Sequence, residues 1–518
     1  MLDLQHEKWL DHIIGNQMNI TIVGGGTAGW LVSLYLASKR PQHQYTTIDS
    51  TSIGPIGVGE AATGKFNQLL HECGITDWEF MLATDALPKH SLRFINWTKQ
   101  PSTFDSPLEY STSYQEPLDS RLFLQILNNQ PIEHASVSGW YSLNEKTSYQ
   151  SVGDKLKNTF KHAFQFDATK TANFLKSHAI KRGVKHVQDH ITEVKIGPKG
   201  IESLHTESGA TVTADLFIDC SGLARLLISK LNCKLNTAKD YIQVNAATLF
   251  RLENDTRPKR TLGVSIARNH GWNFEISTRT RIGSGYVHDR HQVDRDTLLT
   301  ELSNSYQQPV HEVRTIQWDP GSLDQVWIGN CIAMGLSASF LEPLQTGAIH
   351  DTISQIKYFV ETSLLDTTEQ TLDPLVVSSY NRLCRRLFDD YLDFLCVSYQ
   401  GGREDTEFWR EVTNKKLLTQ RAQHIIDIAK TRLTRELDFD KFLGYGSQGL
   451  YNYTLAGLGM LSANTVKSVF QANNIDLIKL NEQQQQHNAK MANEVNQCLT
   501  STEFNRILSN TELLLKGA

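Results

Sequence analysis

Gly24-Gly25-Gly26-Thr27-Ala28-Gly29, with Asp49 standing 20 residues beyond Gly29, is the arrangement in this 518-residue chain best suited to grip a ligand. In a G-x-G-x-x-G turn the first glycine permits a tight bend, the second lets the backbone approach a pyrophosphate, and the third lets the following helix pack close to the strand. The helix N-terminus then faces the anion. A carboxylate at the Asp49 spacing suits a ribose hydroxyl, so the chemistry implied is dinucleotide binding. A second glycine-rich stretch, from Gly54 through Gly57 and Gly59 to Glu60, follows soon after.

A glycine turn works only if a strand and a helix flank it, and both are legible. Met18 to Val23 alternates in a β-rich run, Trp30 to Arg40 has helical spacing, and Gln44 to Ile48 reads as the next strand. Gly64 to Cys73 is helix-like. Residues 100–160 are polar and rich in Ser, Thr, Gln and Tyr, which predicts long loops or inserted elements over a binding site. Strand and helix alternate again over 164–222, with a helix opening at Phe166-Asp167 and strands near 185–187, 191–196, 211–212 and 216–219. Further strands at 243–252, 262–267 and 272–276 suit the floor of a cavity. From Gly347 onward the pattern is mainly helical, and the run Gln483 to Gln486 reads as a solvated helix face.

Composition narrows the function classes. Hydrophobic residues make up 40% and charged residues 21%, as in folded globular proteins. Lys plus Arg total 51 against 56 Asp plus Glu, and this mild acidity supplies no field for a phosphate backbone, so no nucleic-acid partner is expected. No run reaches ~18 apolar residues, so no membrane partner is expected. The seven cysteines are scattered and never spaced C-x-x-C, which argues against a disulfide framework or a metal site and for a reducing, cytoplasmic home.

Several separated segments resemble the flavin-dependent tryptophan halogenase family. They are Ile22 to Trp30, Gly57 to Ala61, Arg93 to Trp97, Phe166 to Ala168, Asp215 to Gly222, Trp327 to Cys331 and Phe340 to Leu344, in family order across most of residues 18–460. The resemblance implies an α/β fold: a Rossmann-type, flavin monooxygenase-like FAD-binding module with a β-sheet substrate floor and a mainly helical C-terminal region. The expected division is 1–100 with 160–350 as the discontinuous FAD module, 101–159 as inserted loops, and 351–518 as the helical substrate side.

By the same resemblance the cofactor-binding set is Gly24, Gly25, Gly26, Thr27, Ala28, Gly29, Asp49, Val58, Ala61, Ile191, Met334 and Ile349. Lys89 falls at the family's essential lysine. Reduced FAD and O₂ convert halide to hypohalous acid, which passes along a tunnel to this amine. An ammonium would donate a hydrogen bond to it, and an amine whose pKa burial has lowered would form a haloamine. Gln345 stands where the family carries a glutamate; a neutral amide orients a substrate but does not act as a base. Glu342 is a second candidate for that proton. The backbone N–H groups of Gly347 and Ala348 match the halide site, and the small residue at 347 in place of the usual threonine is expected to widen it toward bromide or iodide. The family's W-x-W strand appears as Trp272-Asn273-Phe274, read equally well as tunnel wall or as a half-buried strand. Tyr451 and Tyr453 are candidates for stacking on the substrate ring, with core packing the alternative.

The function implied is an FADH₂-dependent halogenase acting on an indole- or phenol-like substrate. Because no second G-x-G-x-x-G lies in strand-turn-helix context, FADH₂ is expected from a separate flavin reductase. A homodimer is left open. The alternatives are a flavin-dependent aromatic monooxygenase and a non-catalytic flavin-binding relative, for which Gln345 is the best argument.

Overall fold

The computed structural model describes residues 17–50, 59–108, 115–153, 155–364, 373–439 and 448–516. Val58 lies outside the described residues. The glycine turn is built as its sequence demands. The strand β1 (Asn19–Val23) leads to the helix α1 (Thr27–Lys39) and then to β2 (Gln44–Asp49), which runs parallel to β1 with Asn19 opposite Gln44. A parallel neighbour needs a crossover, and α1 supplies it. The sheet has six strands in the order Lys185–Gln188, β2, β1, Leu216–Asp219, Cys331–Ala333, Trp327–Ile328, antiparallel only at the last pair. The helix Ala168–Lys181, capped by Asp167 on the N–H of Lys170, packs beside α1.

A second sheet of seven strands has the order Val310–Gln317, Ala246–Leu252, Ile282–His288, Gly271–Ser277, Leu262–Arg268, Ser91–Ile95, Thr103–Pro107. A small three-stranded sheet joins the two regions: Ala163–Phe166 lies between Glu60–Ala61 and Leu87–Lys89, pairing Glu60 with Phe166 and Lys89 with Ala163. One apolar core lies around the parallel sheet. A second fills the space between the seven-stranded sheet and the helices of residues 388–480.

The C-terminal region is mainly helical, beginning with Gly347–Tyr358 and Pro374–Ser398. Within Leu477–Asn496, Gln483, Gln485 and Gln486 face solvent while Gln484 is buried. Residues 101–159 are not long loops. They form Thr103–Pro107, Gln115–Leu127, Ile132–Ala135, Val137–Leu143, Lys146–Val152 and Lys155–Asn158, and the helices among them pack on C-terminal helices. The polar composition misleads because many of these polar groups are buried, several of them paired inside. Asp105 accepts two hydrogen bonds from the Arg93 guanidinium at 2.7 and 3.0 Å, and the buried hydroxyls of Ser142 and Thr147 donate to the carbonyls of Gly139 and Leu499. No described helix is long and apolar enough to cross a membrane.

Candidate active site

The turn after β1 has the shape a dinucleotide requires. A Cβ on Gly24, which sits at φ +127°, would lie 2.2 Å from the Cys220 carbonyl oxygen, and one on Gly29 would lie 1.9 Å from the Gly24 carbonyl oxygen. Both positions hold helix against strand. A Cβ on Gly26 would meet nothing within 4 Å, so this position opens on free space. Gly26 caps α1 without a side-chain hydrogen bond, and the first turn carries no acid. Unsatisfied N–H donors facing open space fit a pyrophosphate. Asp49 ends β2 with its carboxylate against Gly25 and 2.7 Å from His186 Nε2. Thr27, inside the turn, donates to Glu60 at 2.7 Å. Burial pushes the Glu60 carboxyl up to about 7, against the pull of that hydrogen bond.

Beyond the turn lies an apolar cavity of about 190 Å³. Its wall brings together Ala61, Ala348 and Ile349 with Gln345, Trp272 and Phe274. The two aromatics share one face of their strand, as period two dictates, and that face is the cavity side.

Lys89 is the last residue of its short strand and is buried, 1% exposed. Its Nζ reaches Thr346 Oγ1 at 3.5 Å, and its stem passes Gly263; Thr346 and Gly263 both line the cavity. Burial alone brings the ammonium from an ordinary 10.5 down to about 7. Desolvation disfavours the charge, and no carboxylate contributes to restore it. Neighbouring His90 points elsewhere, stacked on Tyr141 with centroids 4.9 Å apart.

The segment 342–349 enters its helix through two left-handed residues, Gln345 at φ 57° and Thr346 at φ 60°. A β-branched residue is costly there, so something must hold it. Tyr391 does: its hydroxyl lies within hydrogen-bond reach of the carbonyls of Glu342 and Leu344, which share its one proton, and receives the N–H of Gly347. A Cβ on Gly347 would lie 2.3 Å from the Tyr391 ring. The expected widening at 347 is therefore not found, because Tyr391 fills the space that a larger side chain would take. Ala348 lines the cavity and Gly347 does not. Gln345 is buried, and its Nε2 has no partner.

Glu342 stands behind the cavity wall. Its Oε2 accepts from Tyr399 at 2.7 Å and from Trp272 Nε1 at 3.4 Å, while Tyr399 Oη also receives Trp272 Nε1 at 2.9 Å. Burial raises its carboxyl to about 8, the two hydrogen bonds opposing. Ile191 and Met334 are packed in the first core, Met334 donating its N–H to the Asp219 carbonyl. Tyr451 stacks on Phe439 at 4.7 Å and Tyr453 packs with Leu122 and Ala135, so both take the core alternative and neither lines the cavity.

Sequence reasoning missed Glu60, Tyr391 and Tyr399 as site residues. Glu60 was within reach, since it follows the second glycine stretch. The two tyrosines carry no local signal, because their partners lie 47 to 127 residues away.

A dinucleotide-type turn tied through Thr27 to Glu60 of an apolar cavity, with a buried amine against the cavity residue Thr346, is an arrangement that suits a flavin-dependent oxidoreductase. Residues 19–476 match the sequence model of the family described as tryptophan halogenase, and the chain belongs to that family. It is 28% identical over 490 residues to tryptophan 6-halogenase ThaL of Streptomyces albogriseolus, covering 87% of this chain and 91% of that protein. Tryptophan 7-halogenase RebH of Lentzea aerocolonigenes is 29% identical over 490 residues, with 85% and 89% covered. The crystal structure of tryptophan 6-halogenase SttH from Streptomyces toxytricini shares the fold, with a TM-score of 0.82 at 23% identity over 95% of this chain and all of that one, 100%. The expected family, the mixed α/β fold and the enzyme class, a flavin-dependent halogenase, are borne out. A flavin, a halide and an aromatic substrate follow from membership.

Proposed function

We propose that the protein is an FADH₂-dependent halogenase that passes hypohalous acid to Lys89 and halogenates an electron-rich, indole- or phenol-like ring, with FADH₂ supplied in the cytoplasm by a separate flavin reductase. The single observation carrying this reading is the Lys89 amine, buried beside the cavity and brought to a pKa near 7. The turn Gly24 to Gly29 would hold the FAD pyrophosphate, with Asp49 toward a ribose and Ala61 and Ile349 toward the ring system. The chemistry this cofactor supplies when bound is the oxidation of halide by O₂ to hypohalous acid, with water as the second product.

Lys89 then acts in one of two protonation states, both well populated near neutrality. As ammonium it donates a hydrogen bond to hypohalous acid and polarises the O–X bond. As amine it offers a lone pair to the halogen. In the ammonium route the ring carbon forms its C–X bond as the O–X bond breaks, and the ring C–H proton and the released hydroxide leave as water. In the amine route an N–X bond forms as O–X breaks, one N–H proton leaves with the hydroxide as water, and the ring carbon then takes the halogen from nitrogen while the ring C–H proton returns to the amine. Gln345, a neutral amide in the wall, orients the ring but cannot take that proton. Trp272, held by Tyr399 and Glu342, keeps the cavity narrow and dry.

The test supplies purified protein with reduced FAD, O₂ and chloride or bromide, offers a panel of electron-rich aromatics, and reads product masses. Halide-dependent products lost in Lys89→Met are expected. Hydroxylated products formed without halide would identify a monooxygenase, and intact FAD binding with no turnover on the panel would identify a non-catalytic relative.

A further inference from the structure

From the grip on the Asp49 carboxylate we infer that His186 is a positioning residue for the cofactor: it turns Asp49 toward the adenosine ribose, and the preference of the site for FAD over FMN depends on it. The inference rests on the reading above that the glycine turn holds FAD, and it gives a role to a side chain outside the expected cofactor-binding set. His186 Nε2 lies 2.7 Å from Asp49 Oδ1, both side chains being mostly buried. A carboxylate only accepts hydrogen bonds, so Nε2 carries the hydrogen. The other oxygen, Oδ2, lies over Gly25, where an added Cβ would stand 2.3 Å from it, and no donor among the described residues takes it. One carboxylate oxygen is tied, and the other is left open beside the second glycine of the turn.

The imidazole is itself fixed. Its strand, Lys185–Gln188, runs parallel to β2 and sets His186 opposite Thr47 and Gln188 opposite Asp49. Residues two apart on a strand share a face, and so do neighbours across a pair, so His186, Thr47 and Asp49 all point to one side of the sheet. On that side lies α1. Its Ser33 hydroxyl meets Thr47 Oγ1 at 2.7 Å, and the Trp30 ring stands 5.5 Å from the imidazole, centroid to centroid. Trp30 follows Gly29 directly, so the helix start that would face the pyrophosphate also backs the imidazole. An untethered Asp side chain gives up its rotamer freedom when a ligand arrives, and a bond made beforehand removes that cost. A ribose diol brings O–H donors, which suit an oxygen left open to accept. FMN has no adenosine ribose and makes no use of Asp49.

The experiment titrates oxidised FAD and FMN into flavin-free protein, without halide or substrate, and reads flavin fluorescence, so that no turnover enters. Wild type is expected to bind FAD at least about tenfold tighter than FMN. His186→Phe keeps a ring against Trp30 but no N–H, and is expected to weaken FAD about tenfold while FMN stays within about twofold. His186→Gln, whose amide N–H reaches about as far as Nε2, is expected to recover most of that loss. His186→Phe added to Asp49→Ala is expected to weaken FAD no further than Asp49→Ala alone, because the two side chains act as one unit. FAD affinity unmoved in His186→Phe overturns the inference, and so does FMN weakened as much as FAD, which marks a purely structural role. The two levels separate in the wild type: FAD bound there but unmoved in His186→Phe refutes the role of His186 alone, whereas wild type binding neither flavin refutes the reading that the turn holds FAD and the inference with it.

Discussion

The glycine turn and the cavity wall are tied together by the hydrogen bond from Thr27 to Glu60, and in the proposed reaction they would work by opposite means. At the turn, the proposed binding would rest on atoms that are absent: Gly24 and Gly29 have no room for a side chain, and a Cβ on Gly26 would meet nothing within 4 Å. At the wall, the proposed function would lie in polar side chains, the desolvated amine of Lys89 beside it and the buried amide of Gln345 in it. A site made of shape tolerates no addition, and a site made of chemistry tolerates no exchange. Substitutions at turn and wall should therefore fail differently.

Gly29→Ala is expected to have the largest effect. Its Cβ would stand 1.9 Å from a backbone oxygen that cannot yield without parting α1 from β1. A stability loss on the order of 3 kcal/mol or more, with FAD binding lost, should appear in thermal unfolding and flavin fluorescence. Lys89→Met comes next and fails by chemistry alone. Halogenation should fall by about 100-fold or more with FAD affinity unchanged, as expected for removal of a group acting in the transition state. Its stability should change with a definite sign. Because the folded pKa lies near 7 and the unfolded one near 10.5, the unfolded chain binds the extra proton between those values. Wild-type stability therefore rises with pH from about 7 to 10.5, and the methionine variant loses that rise. A variant retaining the slope would mean that the amine is solvated.

How much of this was legible from residues alone divides along the same line. The turn, both of its flanking strands and Asp49 were readable because a strand-turn-helix is local, and its glycines answer to backbone geometry within 30 residues. Lys89 was readable only through the register of Phe94 to Trp97. The wall was not, because what fixes it comes from far along the chain: Tyr391 pinning residues 342–347, and Tyr399 meeting Trp272. Residues 101–159 misled for a related reason. The buried Asp105, paired with a half-buried Arg93, looks like solvent-facing polarity until the two strands are seen side by side.

Gly26→Ala sharpens the comparison with a smaller effect. Its Cβ would meet no protein atom within 4 Å, so stability should stay within about 1 kcal/mol of wild type while FAD affinity, read by titration, falls about tenfold. Unchanged affinity would mean that the pyrophosphate does not lie over this position.

Glu342→Gln should have the smallest effect on turnover, within about threefold, because the carboxyl stands behind Trp272 and is already neutral at pH 7. The amide oxygen still accepts from Tyr399, and Trp272 keeps its hold through that hydroxyl. The effect appears in pH dependence instead. With a folded pKa near 8 against an ordinary 4.5, the folded protein holds a proton that the unfolded chain releases between those values. This carboxyl therefore makes wild-type stability fall as pH rises from about 4.5 to 8, the reverse of the Lys89 slope, and the glutamine variant should lack that fall. Denaturant midpoints at pH 5 and pH 8 measure it. A large loss of halogenation in this variant would instead assign Glu342 a proton-transfer role reaching past the indole of Trp272, and the division between a wall that reacts and a support that only positions would no longer hold.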